Sequence, residues 1–425
     1  MSYKKIEIMD TTLRDGEQTS GISFSPKEKL SIAKLLLHEL NVNRIEIASA
    51  KVSEGEMKAV KLITDWAKES GFVEKIEILS FVDGGSSIRW MEKAGAKTQN
   101  LLTKGSINHL KNQIKKTPSQ HFKDISNVIQ YAEDHGIKTN VYLEDWSNGM
   151  KNSKSYVTDM VQFLSEKNVD RILLPDTLGV LTPDLTREFI KEMVSNFPNI
   201  HFDFHAHNDY DLSVANVIES IRNGCNGIHI TVNGMGERAG NAPLASVVAV
   251  VNDFLNGYEI DINEKSLHKV SKLVSNFSGF RIPVNKPIVG DNVFTQTAGI
   301  HADGDNKKNL YFNDLLPERF GRKRKYALGK MSGKANIKKN LDELGLTLSE
   351  KEIEKVTDRI ILLGDKKEKV TIEDLPYIIS DVIDSSNYKY KTVIRSYELS
   401  HKKNSPPSAE IEIIINKKTF IENGT

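Results

Sequence analysis

Within the first 255 residues, apolar β-rich runs alternate eight times with helix-patterned segments, and this alternation constrains the fold more than any other feature. The runs are Ile6–Leu13, Arg44–Ala48, Lys75–Phe81, Gln99–Thr103, Lys138–Glu144, Arg171–Asp176, His201–His207 and Gly227–Val232. Between and after them lie Pro26–Leu40, Glu54–Ser70, Ser87–Ala94, Ser119–His135, Ser155–Glu166, Pro183–Phe197, Asp211–Asn223 and Ala242–Leu255. Pro26 and Pro183 follow Ser25 and Thr182, which suit N-caps with proline in the first turn. Gly71, Gly95, Gly136 and Gly224 mark helix stops. Eight βα units in a row predict a closed (β/α)8 TIM barrel. The competing fold is an open doubly wound sheet, but no G-x-G-x-x-G follows the first run.

A barrel concentrates chemistry at the C-terminal ends of its strands. Strand 1 runs into Asp10-Thr-Thr-Leu-Arg14-Asp15-Gly-Glu-Gln18, strand 5 ends in Tyr142-Leu-Glu144-Asp145, and strand 6 ends in Pro175-Asp176-Thr177. Strand 7 ends in His205-Ala-His207, and strand 8 runs into Asn233-Gly-Met-Gly-Glu237-Arg238-Ala-Gly-Asn241. Residues two apart on a strand point the same way, so His205 and His207 make half of a divalent-metal site. Taken singly these residues have plain structural roles: Asp10 and Asp176 as caps, Arg14 as an ion-pair partner. Glu237 and Arg238 suit a buried pair that holds the loop better than a pair of substrate contacts. It is their convergence on one rim that points to an active site.

Composition removes other classes. With 58 basic and 57 acidic residues the net charge is +1, which does not suit nucleic acid or anionic lipid as a general partner. The single cysteine, Cys225, excludes an internal disulfide framework and suits a reducing, cytoplasmic setting. No apolar run approaches the roughly 20 residues that cross a bilayer, and Ile6-Glu-Ile-Met reads as a strand instead of a signal peptide.

The Asp10–Gln18 run, the His-Ala-His-Asn-Asp209 run and Gly236-Glu-Arg-Ala-Gly-Asn241 together resemble the 2-isopropylmalate, homocitrate and (R)-citramalate synthases. These are acyl-CoA-dependent barrel enzymes related to metal-dependent lyases, and the resemblance covers nearly the whole chain. It implies that Asp15, His205, His207 and Asn241 bind one divalent cation (Mn, Mg or Zn) and that Arg14 contacts the oxo oxygen of a 2-oxo acid. Acetyl-CoA is the implied co-substrate. Two imidazoles, a carboxylate and an amide suit such a cation and leave positions free for substrate. Glu144 and Thr177 are expected beside the substrate. Leu79, Leu102 and Tyr142 match the bulky positions of the citramalate branch, which favours pyruvate over 2-oxoisovalerate, the substrate of a 2-isopropylmalate synthase.

Beyond the barrel (1–278), a linker subdomain with an active-site segment is expected over 279–330 and a helical subdomain over 331–388. Its helices are Ala335–Leu344, Glu350–Leu363 and Leu375–Ile383, and a helix Glu264–Phe277 precedes the linker. The resemblance implies that the Ala298–Tyr311 segment reaches the active site of the partner subunit in a homodimer. His301 and Tyr311 would help proton transfer there, and Asp303, Asn309, Leu310 and Tyr311 would lie near the acyl-CoA. The base is Glu144, His301 or Tyr311, with Glu144 preferred and His301 as its partner. The basic run Arg319–Lys325 reads as a solvated face or as a site for CoA phosphates. Strands Tyr390–Glu398 and Glu410–Ile415 are too few for a stable module. They read as the start of an incomplete regulatory domain (389–425), which predicts no feedback inhibition by leucine or isoleucine. Two rival classes are a metal-dependent acyl-CoA lyase or aldolase, and a metabolite sensor on a barrel that has lost its chemistry.

Overall fold

The computed structural model describes residues 3–305, 307, 310–383, 392–401, 407–415 and 418–424. Two compact units result: Met1–Phe294 with Phe312–Arg324, and Thr295–Tyr311 with Lys325–Thr425.

The first unit is the barrel. Strands β1 (Glu7–Asp10), β2 (Arg44–Ser49), β3 (Ile76–Phe81), β4 (Thr98–Lys104), β5 (Lys138–Glu144), β6 (Arg171–Asp176), β7 (Phe202–Ala206) and β8 (Gly227–Ile230) pair in sequence order. All are parallel, and β8 returns to β1 with Asp10 opposite Ile230. The helices fall where the apolar periodicity puts them. Ser25 accepts from Glu28 N and Thr182 from Leu185 N, so both expected N-caps form. The first helix departs from expectation: it is α-helical over Pro26–Lys34 and widens into a π turn over Leu35–Glu39. Two short helices, Ile107–Asn112 after β4 and Trp146–Asn152 after β5, are new. Both are too short and too polar to carry a legible apolar stripe.

Large apolar side chains fill the space between strands and helices, with Ile8, Ile45, Ile78, Leu101, Val141, Ile172 and Phe204 buried. Much of the barrel interior is polar. Arg44 reaches Glu77 and Asp203, and Asn100 donates to Glu46 at 2.7 Å and accepts from Asn140 at 2.9 Å. Branched aliphatics usually fill this volume. Buried charges persist there because each is paired.

In the second unit, helices Lys334–Leu344, Glu350–Asp365 and Leu375–Ile383 surround Ile337, Leu341, Ile353, Val356, Ile360 and Leu375. Strands Thr392–Ser400 and Ser408–Ile415 pair antiparallel, and a third strand, Lys418–Gly424, completes a three-stranded sheet. The expected start of the first strand, Tyr390 and Lys391, lies outside the described residues. Among the described residues no helix is long and apolar enough to cross a membrane.

Candidate active site

The end of β1 builds the site's floor. Asp10 Oδ1 accepts from Thr12 N at 2.8 Å, and the amides of Arg14, Asp15 and Gly16 all return to Thr11 O. This tight turn carries Arg14 and Asp15 to the barrel mouth. Burial pushes the Asp10 carboxyl up to about 7, against the opposing bonds from Thr12.

Three neighbours fix Arg14. Its Nε donates to Glu46 at 2.5 Å, Nη1 to Asp15 at 3.1 Å and Nη2 to the Tyr142 hydroxyl at 3.3 Å. Glu46 has no role in the sequence reading, yet its signal was present. It is the acidic residue in an apolar run, two positions from Arg44 and on the same strand face.

Asp15 Oδ2 lies 3.3 Å from His205 Nε2 and 4.0 Å from His207 Nε2, with all three side chains buried. Ligand atoms of the three lie within 4.8 Å of one another, the spacing of groups that share an ion. Asn241 joins them through its backbone bridge to His207. The loop's glycines make this possible. Gly236 (φ 149°) would put a Cβ 2.3 Å from Asn241 Nδ2 and 3.3 Å from Asp15 Oδ1; one at Gly240 (φ 82°) would sit 1.9 Å from Gly234 O. Asn241 Nδ2 donates to Met235 O at 3.0 Å, which leaves its carbonyl oxygen for the site.

The donor set fits a divalent cation. Asp15 Oδ1, Asn241 Oδ1 and Nδ1 of both histidines are buried with no hydrogen-bond partner. Burial and the neighbouring His205 push His207 down to about 4, so it is the neutral imidazole that a ligand must be. Burial works to raise Asp15, but Arg14 and the two imidazoles outweigh it and hold the carboxylate well below its usual range.

Arg14, Asp15, His205 and His207 open into a cavity of about 200 Å³, also lined by Leu79, Leu102, Tyr142, Glu144, Thr177, Gln18, Pro175 and Glu237. The apolar wall is continuous, since Leu79 and Tyr142 pack with Met9 and Leu173, and Leu102 closes against them. Thus all the barrel residues the sequence singled out as substrate contacts line one cavity. Gln18 and Pro175 add to the wall without an assigned role.

Glu144 ends β5 and is ion-paired to Lys104 at the end of β4, with His109 Nδ1 3.9 Å from its other oxygen. Thr177 Oγ1 accepts from Asp145 N at 2.9 Å, which ties the ends of β5 and β6 together. Asp176 accepts from Val180 N and Leu181 N, the capping role open to it. One expectation holds only in part: Glu237 and Arg238 pair at 3.6 Å, but both are exposed, not buried. Arg238 clamps Asp209 at 2.7 and 2.9 Å and Thr177 O at 2.8 Å, and Glu237 faces the cavity. The loop is held by Asp209, which sequence spacing could not nominate.

In the basic run, Lys323 and Lys325 are exposed, as a solvated face requires, while two of the arginines are tied into the fold. Arg319 pairs with Glu264 and Asp253, and Arg322 donates to the carbonyls of Ile288 and Gly290. In the second unit the rings of His301 and Tyr311 lie 4.3 Å apart. Asp303 pairs with Lys307, and Leu310 is exposed. Asn309 lies outside the described residues.

Behind Glu144, buried His121 accepts from Lys104 N through Nε2 at 3.2 Å. Burial, with Lys116, pushes its pKa down to about 4. Its folded pKa lies below the unfolded value near 6.5, so the unfolded chain binds more protons between the two. Stability is therefore lost as pH falls from about 6.5 towards 4, by of order 2 kcal/mol from this group. Urea melts across that range should show the loss, and His121→Gln should flatten it; an unchanged slope would remove His121 as the cause.

Residues 5–274 match the family model described as HMGL-like, and residues 288–368 match the homocitrate synthase post-HMGL domain-like model. An (R)-citramalate synthase of Methanocaldococcus jannaschii is 36% identical over 381 residues, covering 89% of this chain and 74% of its own. A 2-isopropylmalate synthase of Sulfurisphaera tokodaii is 37% identical over 374 residues, covering 88% and 94%. Among solved structures, the HMG-CoA lyase of Bacillus subtilis aligns with a TM-score of 0.55 at 18% identity, over 67% of this chain and 97% of its own, a likeness of fold. The chain belongs to the HMGL-like family, among its acyl-transferring citramalate, 2-isopropylmalate and homocitrate synthases.

Proposed function

We propose that the chain condenses acetyl-CoA with pyruvate to give (R)-citramalate and free CoA. The observation that carries this reading is a small cavity in which the Asp15–His205–His207 cluster and Arg14 face a wall of Leu79, Leu102 and Tyr142. Asp15, His205, His207 and Asn241 would hold a divalent cation, which when bound would supply Lewis acidity to a 2-oxo acid's carbonyl. Arg14, clamped on three sides, faces the oxo oxygen, whose negative charge grows as the new bond forms. Glu144, oriented by Lys104, takes a proton from the thioester methyl. The resulting carbon nucleophile adds to C2, and the oxo oxygen takes up the proton that Glu144 removed and becomes a hydroxyl. Water then breaks the thioester C–S bond, its oxygen entering the new carboxylate as CoA leaves as the free thiol. Thr177 steadies the rim beside the substrate.

Asp303, Asn309, Leu310 and Tyr311 are assigned to the acyl-CoA. His301 and Tyr311 assist proton transfer from a second copy of the chain in a homodimer. Their ring contact is consistent with one functional unit.

Thiol release from acetyl-CoA with a panel of 2-oxo acids tests the reading. Pyruvate should give the highest kcat/KM and a chelator should abolish release. One methylene in an apolar pocket typically discriminates about 10- to 200-fold, so 2-oxoisovalerate should lag by that order. A higher kcat/KM for 2-oxoisovalerate would transfer the chain to the 2-isopropylmalate reading, which relatives of that name at equal identity keep in view. In the same assay, mixing a His301→Ala chain with an Arg14→Lys chain should restore release if the His301 segment serves a partner; no restoration would discard the shared site.

A further inference from the structure

From the cavity a line of polar groups runs down through the barrel, and the synthase chemistry proposed above does not use its lower members, Asp203 and His229. Asp203 on β7 and His229 on β8 are adjacent, and His229 Nε2 lies 3.1 Å from Asp203 Oδ2. The other imidazole nitrogen, Nδ1, lies 2.9 Å from the Tyr142 hydroxyl, which in turn meets Arg14 Nη2 at 3.3 Å. Asp203, His229 and Tyr142 are buried, the first two at most 1% exposed, and Arg14 stands above them at the cavity. Such a chain has a direction, set at its upper end. The guanidinium of Arg14 has donors only, so the Tyr142 oxygen accepts from Nη2, and the hydroxyl hydrogen turns to its other neighbour, His229 Nδ1. Nδ1 is then a bare acceptor, and the N–H of the imidazole lies on Nε2, facing Asp203 Oδ2. Asp203 also contacts Arg44 and, at 3.0 Å, His201 Nε2, so donors hold the carboxylate at the lower end.

We propose that Asp203 and His229 are positioning residues that act through Tyr142 on Arg14. They turn the Tyr142 hydroxyl into an acceptor for the guanidinium and deny it to the substrate as a donor. Two consequences follow. Arg14 Nη2 is held in place by an oxygen that cannot rotate its hydrogen towards it, which completes the three-sided clamp with Glu46 and Asp15. Tyr142 also presents only its ring to the substrate's side chain, so the pocket wall beside Leu79 is apolar although it carries a hydroxyl. A hydroxyl free to turn would offer a hydrogen bond to a larger, polar 2-oxo acid. The proposal therefore extends the condensation reading to the selection of a small apolar substituent, and it rests on that reading.

The test has two parts. In the zinc- or magnesium-loaded protein labelled with ¹⁵N-histidine, the His229 signal, assigned by its loss in His229→Phe, should report the Nε2–H tautomer across the range of pH in which the protein is folded. A Nδ1–H tautomer, or an imidazolium near neutral pH, overturns the proposal whatever the activity. The second part is kinetic. His229→Phe and Tyr142→Phe should each lower kcat about 10- to 100-fold, with little change in KM for the 2-oxo acid, as for loss of a support to a catalytic group. The double variant should be no worse than either alone, because both break one chain. His229→Asn, which keeps an acceptor near the position of Nδ1, should recover part of the loss. Multiplying effects in the double variant, or equal loss in His229→Phe and His229→Asn, overturns the proposal. Should the wild type release no thiol with any 2-oxo acid, the function reading fails, and the tautomer still decides the direction of the chain.

Discussion

Arg14→Lys should lower kcat for thiol release by about 10²–10³-fold, the usual cost of losing one preorganised donor to a developing oxyanion. The charge survives this change, so the loss isolates geometry. Lysine offers a single charged centre on a flexible stem, whereas the guanidinium meets Glu46, Asp15 and Tyr142 with three different nitrogens. Because the interaction strengthens as negative charge gathers on the oxo oxygen, kcat should fall with kcat/KM and KM for the 2-oxo acid should move little. Arg14→Ala is the poorer experiment. It strands two buried carboxylates and should cost about 3–5 kcal/mol of stability, so its kinetics would mix folding with chemistry. Turnover in Arg14→Lys within threefold of wild type would remove Arg14 from the oxo oxygen.

Removing the candidate ion should have the other large effect. A ligand that binds only the folded chain stabilises it by about 2.7 kcal/mol at a hundred times its Kd. Manganese or zinc in that excess should therefore raise the melting temperature of the wild type. Asp15→Asn keeps the shape and removes the charge from the cluster with His205 and His207. It should weaken cation binding by at least 10²-fold, more than loss of an outer support to a ligand typically costs, and the melting temperature should no longer respond. Isothermal titration of the chelated protein gives the affinity directly. The predicted response has a sign that a purely structural ion pair would not give. Without an ion, Asp15→Asn takes the counter-charge from Arg14 and the imidazoles, so its own melting temperature should also fall, and the diagnostic is the lost response to added metal. A wild-type chain indifferent to manganese, magnesium and zinc would end the metal assignment.

Much of the architecture was written in short-range pattern. The expected run Lys138–Glu144 and the observed β5 have the same bounds, as do Arg171–Asp176 and β6. The helix over Leu375–Ile383 likewise begins and ends as its apolar spacing says. These signals survive without an alignment because each depends on neighbours a few positions away. The third C-terminal strand did not stand out, since Lys418–Gly424 is exposed and carries few apolar residues, and it becomes a strand through pairing with Ser408–Ile415. The π turn at Leu35–Glu39 leaves the same apolar spacing as an ordinary helix end, so sequence cannot announce it.

By itself the sequence determined the eight-unit alternation and placed Glu144, Thr177, His205 and His207 at strand ends, and the resemblance of its motifs added Asp15 and Asn241 from the loops after the first and last strands. A strand fixes the direction of its own side chains, and a barrel sends every strand end to one rim. Tertiary structure alone decided the partners: Glu46 beneath Arg14, Lys104 on Glu144, Asp209 on Arg238, and the Tyr142–His229–Asp203 line. Each joins residues from different strands or loops, and which two meet depends on barrel register and side-chain rotamer, quantities that closure sets and no local pattern encodes.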